Sequence, residues 1–405
     1  MSGALNGVVV LDLSRILAGP WSTQNLADLG ADVIKVERPG KGDDTRAWGP
    51  PFVNTAEGEP RDAAYYFCAN RGKRSITLDF TQPEGKKVLL ELVAKADILV
   101  ENYKFGGLKK YGLDYNSLAK VNPRLIYCSI TGFGHTGPYA ERPGYDALIQ
   151  AMGGLMSITG EPDTVPGGGP QKVGVAVVDI LTGLYATSAI LAALYARTQT
   201  GQGQHIDVAL LDVQVASLAN QASNYLLSGK VPGRLGSAHP SIVPYQPFQC
   251  ADGYVMLAIG NDTQFKAFCE TAGCGGLAED ERFSTNAQRV ANRDQLVPLL
   301  QERMLLKTID QWCQLAIENG FPCGPINTID RVFEDPHVQA RNMRVEVPSE
   351  TYGSLNLVAS PMKFSGTPIE YTTPPPTLGQ HTEQVLGELG IDAQTIESLK
   401  KAGAV

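Results

Sequence analysis

Asp179 is the only acid in residues 171–204, "QKVGVAVVDILTGLYATSAILAALYARTQTGQGQ", an otherwise largely apolar run. Burying an unpaired charge in such surroundings costs on the order of several kcal/mol. Two roles fit it locally. Asp is a favoured N-cap residue, and a helical pattern follows at once: Ile180, Leu184, Ile190, Leu191 and Leu194 form an apolar face, with Arg197 near the end and Gly201 beyond. The positive end of such a helix also keeps a carboxylate ionised and favours charge developing beside it, so a capping role and a nucleophilic role are compatible.

Cationic and polar groups gather after successive apolar segments of the first third. Arg38 follows "VIKVE", Lys73 and Arg74 precede "SITLDF", Asn102 and Tyr103 follow "ILVE", and Lys109 and Lys110 follow "FGGL". If those segments are strands of an open α/β sheet, these residues sit where such sheets bind ligands, and converging cations there suit a phosphorylated carrier. Taken singly, each is also an ordinary solvated loop charge. Arg38 and Asn102, directly at strand exits, are the least ordinary.

The elements that would position them read as alternating strands and helices. "GVVVLDL", "ADVIKVER", "KRSITLDF", "DILVENY" and "RLIYCSITGFG" have the short apolar character of parallel strands covered on both faces, with helical segments between them. The expected architecture is α/β, with a doubly wound, mostly parallel, Rossmann-like large domain over residues 1–225. The Gly/Pro/Ser-rich stretch "GKVPGRLGSAHPSIVPYQPF" leads into a smaller α+β domain over 226–325, and the segment 326–405 returns to complete the large domain.

Several familiar chemistries find no support. The first strand is followed by "RILAGPWS" rather than G-x-G-x-x-G, and neither a phosphate loop ending in G-K-[ST] nor G-x-S-x-G occurs. The five histidines have no metal-ligand spacing, and His239 and His381 read as structural residues of turn-rich stretches. Cys269 and Cys274 lie close together but lack a second pair to complete a zinc set, so no metal site is expected. Lys and Arg total 34 against 42 Asp and Glu, a net charge of -8, which argues against a nucleic-acid partner held by broad phosphate neutralisation. Seven scattered cysteines suggest reduced thiols. The start "MSGALNGVVVLDLSR" has no signal-peptide pattern, and no segment offers roughly 18 uninterrupted apolar residues, so a cytoplasmic protein without a membrane partner is expected.

Longer blocks carry a resemblance. "LDLSRILAGPWSTQNLADLGADVIKVERPGKGDDTR", "NRGKRSITLD", "ENYKFGGLKKYGL", "IYCSITGFGHTGP", "GYDALIQAMGGLMSITG" and "VVDILTGLYATSAILAAL" through "TGQGQHIDVALLD" are similar, in order and spacing, to class III CoA-transferases of the formyl-CoA and carnitine-CoA type. The similarity runs from residue 6 to about 400. It implies that Asp179 is a nucleophile forming an acyl-aspartyl anhydride and then an aspartyl-CoA thioester, with no permanently bound cofactor and with coenzyme A and acyl-CoA as substrates. It further implies that Arg38, Lys73, Asn102, Tyr103 and Lys110, with the backbone around Ile16 and Ala18, bind CoA. An interlocked homodimer is also implied.

Departures from the family pattern shape the expected substrates. Leu17 stands where formyl-CoA transferase has a glutamine, only Gly260 in "AIGNDTQF" remains of its glycine run, and Lys110 replaces a frequent arginine. The first two point away from oxalate, and the third lessens a bidentate phosphate contact. "GDDTRAWGPPF", "GSAHPSIVPYQPF" and "PPPTLGQHT" resemble the branch acting on succinyl-CoA and a four- to six-carbon dicarboxylate such as glutarate. Arg46 is then a candidate anchor for the acceptor's distal carboxylate, the alternative being an ion pair with Asp43 or Asp44. Related α-methylacyl-CoA racemases use a histidine where Tyr145 stands, and a phenol is a poor proton carrier near neutral pH. Racemase and non-catalytic CoA-binding protein are the alternative readings.

Overall fold

A computed structural model describes residues 3–405. Six parallel strands form its main sheet: β1 Val9–Asp12, β2 Asp32–Glu37, β3 Lys73–Thr77, β4 Ile98–Glu101, β5 Ile126–Thr131 and β6 His205–Ala209, in the order β3-β2-β1-β4-β5-β6. Alternate residues point to opposite faces, and both faces are covered. Leu11, Ile34 and Leu99 pack beneath α2 (Pro83–Lys95) and two C-terminal helices, whereas Val10, Val33 and Ile98 pack beneath α1 (Ala18–Asp28), α4 (Val177–Thr200) and α5 (Leu210–Ser217). The strand order reverses between β1 and β4, and an open α/β sheet leaves its crevice beyond the carboxyl ends of those two strands.

The helix expected after Asp179 begins earlier, at Val177, with Ala176 as its N-cap and no side-chain cap of its own. Asp179 is therefore not the cap but the third residue of the first turn. Gly201, in a left-handed conformation, closes the helix by donating to the Arg197 carbonyl. By length and composition alone α4 is long and apolar enough to cross a membrane, its most apolar 18-residue window having a mean hydropathy of 1.8, although no run in it is uninterruptedly apolar. Its scattered Thr, Ser, Gly and Tyr break a strictly apolar run without making the helix polar. One side packs on α1, β5 and β6, and the other leaves Leu184, Tyr185 and Tyr195 exposed. Gly183 is the point of closest approach to α1: a Cβ there would lie 2.7 Å from the Ala18 carbonyl oxygen and 3.0 Å from the Trp21 side chain.

The chain divides into two compact units. The first holds the described residues up to Gly154, Val173–Ala222 and Pro336–Val405; the second holds Leu155–Lys172 and Ser223–Asp335. The expected division left 155–172 in the large domain. That segment is a short helical turn, Leu155–Ile158, followed by turns without apolar periodicity, and Arg234 binds it through the Glu161 carbonyl, at 3.0 Å, and Asp163. In the second unit, β7 (Tyr245–Gln249), β8 (Tyr254–Ala258) and β9 (Cys323–Pro325) make an antiparallel sheet. Helices α6 (Asp262–Thr271), α7 (Arg293–Met304) and α8 (Ile309–Asn319) accompany it, around Phe248, Phe265, Phe268, Trp312 and Phe321. The C-terminal helices α9 (Thr382–Glu388) and α10 (Ala393–Lys401) belong to the first unit, where His381 N–H donates to the Ser75 carbonyl and its ring accepts from the Ser75 N–H.

Beneath the crevice lies a buried ionic network. Lys73, fully buried, donates to Asp12 Oδ2 at 2.9 Å, to Asn70 and to the Pro20 carbonyl. Burial alone would raise the Asp12 carboxyl, but Lys73, Lys35 and the hydroxyls of Ser14 and Thr23 hold it down at about 2. Lys35, opposite Asp12 on β2, donates to Asp43 and to the Ser14 carbonyl, both at 2.9 Å. Arg46 donates to both Glu37 oxygens at 2.8 and 2.7 Å, and to Tyr66 and the Pro376 carbonyl. Its remaining nitrogen lies 3.1 Å from Asp62.

Lys73→Met is expected to leave Asp12 uncompensated and to destabilise the protein by about 3–5 kcal/mol in denaturant unfolding, with recovery when Asp12 is also made apolar. Weakened CoA binding at unchanged stability would instead return Lys73 to the ligand. Gly183→Ala is expected to force α1 off α4, costing about 1–3 kcal/mol and reducing kcat/KM beyond what the lost stability explains. Unimpaired turnover would show that the helix contact does not set the site.

Candidate active site

A cavity of about 190 Å³ opens beyond β1, β4 and β5. Residues 15–18 after β1, 102–105 after β4, 130–132 at the end of β5 and 142–145 line it, with Asp179 in its wall. The loops at the switch point are clamped together: Asn102 Oδ1 accepts from Arg15 N–H at 3.0 Å while its Nδ2 donates to the Arg15 carbonyl at 2.7 Å.

The β1 loop is held in a costly shape. Ile16, a β-branched residue, has φ of 73°, a conformation costing about 1–3 kcal/mol. Asp43 stabilises it by accepting the Ile16 N–H with both oxygens at 3.2 Å while Lys35 pairs with the same carboxylate. The strained turn delivers Leu17 as the N-cap of α1 without any side-chain cap. Free N–H groups of the first turn and the positive end of the helix therefore face the region lined by Leu17 and Ala18, a setting that favours anions.

Asp179 lies in the first turn of α4, whose missing cap comes from elsewhere. Asp146 opens α3 (Asp146–Met152), and its Oδ1 accepts from the N–H groups of Val178, at 2.8 Å, and Asp179, at 3.3 Å. Gln150 completes the arrangement by donating to the other Asp146 oxygen at 2.6 Å and accepting from Val173 N–H at 2.9 Å. Burial pushes the Asp179 carboxyl up to about 7, and the neighbouring Asp146 charge adds to the rise. A basic carboxylate is a better nucleophile once ionised, and here it ionises near neutral pH. Sequence reading missed Asp146, although it stands in the quoted block "GYDALIQ"; only the fold brings it to the start of α4.

Of the residues singled out in the sequence, Ile16, Leu17, Ala18, Asn102, Tyr103, Tyr145 and Asp179 meet at this cavity. Lys73 does not: its ammonium is spent on Asp12, Asn70 and Pro20 beneath the loop. Arg46 is likewise not a free anchor, and its partners are Glu37 and Asp62 rather than Asp43 or Asp44. Arg38 and Lys110 are exposed outside the cavity, and Gly260 belongs to the second unit, where its N–H donates to Gln264 at 2.8 Å. The cations that do line the cavity are Arg15, Lys104 and Arg142. Arg15 pairs with Asp44 at 2.5 Å. Arg142 lies 3.9 Å over the Tyr139 ring and has no ion-pair partner among the described residues.

This arrangement suits attack by a carboxylate on an activated carbonyl, with helix N-termini at hand for developing charge. The description "CoA-transferase family III" matches residues 5–382. The succinate–glutarate CoA-transferase of Agrobacterium fabrum is 53% identical over 393 residues, covering 97% of this chain and 96% of that enzyme. Human succinyl-CoA:glutarate CoA-transferase is 44% identical over 402 residues, covering 99% and 90%. A crystal structure of a CAIB/BAIF family protein from Brucella suis is 54% identical with a TM-score of 0.85, over 96% of this chain and all of that one. With the family pattern spanning nearly the whole chain and relatives of this identity covered almost end to end, this protein belongs to CoA-transferase family III and is a CoA-transferase.

Proposed function

We propose that the enzyme moves CoA from succinyl-CoA to a second dicarboxylate, such as glutarate, through covalent intermediates on Asp179. The single observation that carries the mechanism is the Asp179 carboxylate in the cavity wall, in the first turn of a helix capped by a different residue. The carboxylate attacks the thioester carbonyl, and CoA thiolate leaves an aspartyl–succinyl anhydride. The thiolate then attacks the aspartyl carbonyl and releases succinate, leaving an aspartyl-CoA thioester. The acceptor carboxylate attacks that thioester and frees the thiolate, which takes the acyl group from the new anhydride and regenerates Asp179. Each thioester is exchanged for another, so the demand on the site is to exclude water from reactive intermediates.

The names of the Agrobacterium and human relatives support the acid pair. A dicarboxylate acceptor needs its distal charge held while the other end reacts. Arg142, which lines the cavity and has no ion-pair partner among the described residues, takes this role in place of Arg46. Arg38 and Lys110 are our candidates for the phosphates of CoA. We also propose a homodimer: α4 is apolar all round but packed on one side, and Leu226 and Leu227 are 76% and 89% exposed, more uncovered apolar surface than an isolated chain tolerates well.

Asp179→Ala is expected to lower transfer by about three orders of magnitude or more while changing stability by no more than about 1 kcal/mol, because the residue does not cap its helix. Hydroxylamine trapping after incubation with succinyl-CoA should mark Asp179, and an adduct on another carboxylate would overturn the mechanism. Since Asp179 attacks as the anion and its pKa is raised, kcat/KM should climb with pH through about 7. Asp146→Asn keeps the capping oxygen but removes the like charge, so the acid limb should move to lower pH; an unmoved limb would assign it to another group. Arg142→Met should raise KM for glutarate far more than for a monocarboxylate acceptor. Equal losses would remove Arg142 from dicarboxylate selection.

A further inference from the structure

Helix α6 ends in the second unit with a specific hydrogen-bond pattern. Gly273, at φ 68°, donates to the Glu270 carbonyl at 3.2 Å, and Cys274 donates to the Cys269 carbonyl at 2.8 Å. This is the Schellman arrangement, which brings the side chain just beyond the left-handed residue against the one five positions earlier, normally as an apolar contact. Here both are cysteines.

The two thiols are differently placed. Cys269 is fully buried, whereas Cys274 is partly exposed and lines a cavity of about 320 Å³ with Gly273, Gly275, Leu299 and Arg303. From the geometry we infer that Cys274 and Cys269 form a reversible, hydroperoxide-reactive dithiol site, with Cys274 as the attacking sulfur and Cys269 as the resolving one. Electrostatics agree with these roles: the interaction with Cys269, helped by the charge of Arg303, outweighs burial and draws the Cys274 thiol below the usual range, while the proximity of Cys274, and burial, hold Cys269 up. Burial raises Cys313 and Cys323, which pack against the same core, so these thiols stay protonated and serve as an internal comparison.

The chemistry balances with a hydroperoxide as oxidant. The Cys274 thiolate attacks the terminal peroxide oxygen, the O–O bond breaks, and the leaving alkoxide or hydroxide takes a proton, giving a sulfenic acid on Cys274. The Cys269 sulfur then displaces the hydroxyl as water and forms the disulfide. Two electrons pass from the dithiol to the peroxide, and exchange with an external dithiol restores both thiols.

The test uses the full chain treated with hydrogen peroxide at neutral pH and mapped by peptide mass spectrometry. Expected is a peptide pair joined between Cys269 and Cys274, reversed by dithiothreitol, with Cys274 alkylated about tenfold faster than Cys313 or Cys323 in the untreated protein. Cys269→Ser should leave a sulfenic acid on Cys274 that dimedone captures. Cys274→Ser, at the partly exposed position, should abolish both peroxide consumption and the linkage. A disulfide confined to Cys313 and Cys323, or alkylation of Cys274 no faster than theirs, would overturn the proposal.

Discussion

The site depends on keeping a cluster of buried charges fully paired. Asp12, Lys35, Glu37, Asp43, Arg46 and Lys73 all lie at or below 6% exposure near the ends of β1, β2 and β3. Pairs of this kind add little net stability over apolar packing, but each member becomes very costly once its partner is lost. Their value here is geometric. Asp43 is fixed by Lys35, and it in turn fixes the Ile16 amide in a conformation that an isoleucine avoids. That turn aims the first residues of α1 at the cavity, and Gly183 lets α1 close against the helix carrying Asp179.

Two opposing effects meet on Asp179. Burial and Asp146 disfavour its ionised form, while the positive end of α4 favours it. Asp146 acts on both sides, because the carboxylate that caps the helix is also the charge that raises its neighbour. The result is a carboxylate more basic than an exposed aspartate yet ionisable near neutral pH. That balance suits the covalent role proposed for Asp179, in which one thioester is exchanged for another and the barriers rather than the equilibrium must be lowered.

The parallel sheet was legible because its strands are short apolar runs separated by helical periodicity, a pattern that few other architectures accommodate. Asp179 was legible because a lone acid in an apolar run demands a reason. Its capping role was misread, since cap preference identifies residue types and not which neighbour supplies the acceptor; Asp146, 33 positions earlier, does so. Residues 155–172 were misassigned because turn-rich chain carries no periodicity to say which core it joins, and Arg234 decides it.

The sequence by itself determined the alternation of strand and helix, the singular carboxylate and the long blocks of family pattern. All of these are local in the chain or survive as similarity of order and spacing. Tertiary structure alone decided which charges are free. Lys73, Arg46 and Arg142 look alike as cations on loops and strand ends, but the first two are consumed by Asp12, Glu37 and Asp62 while the third, at the cavity, has no ion-pair partner among the described residues. Whether a cation is available to a ligand depends on the carboxylates that distant segments bring within about 3–4 Å of it, and one-dimensional spacing does not record that distance.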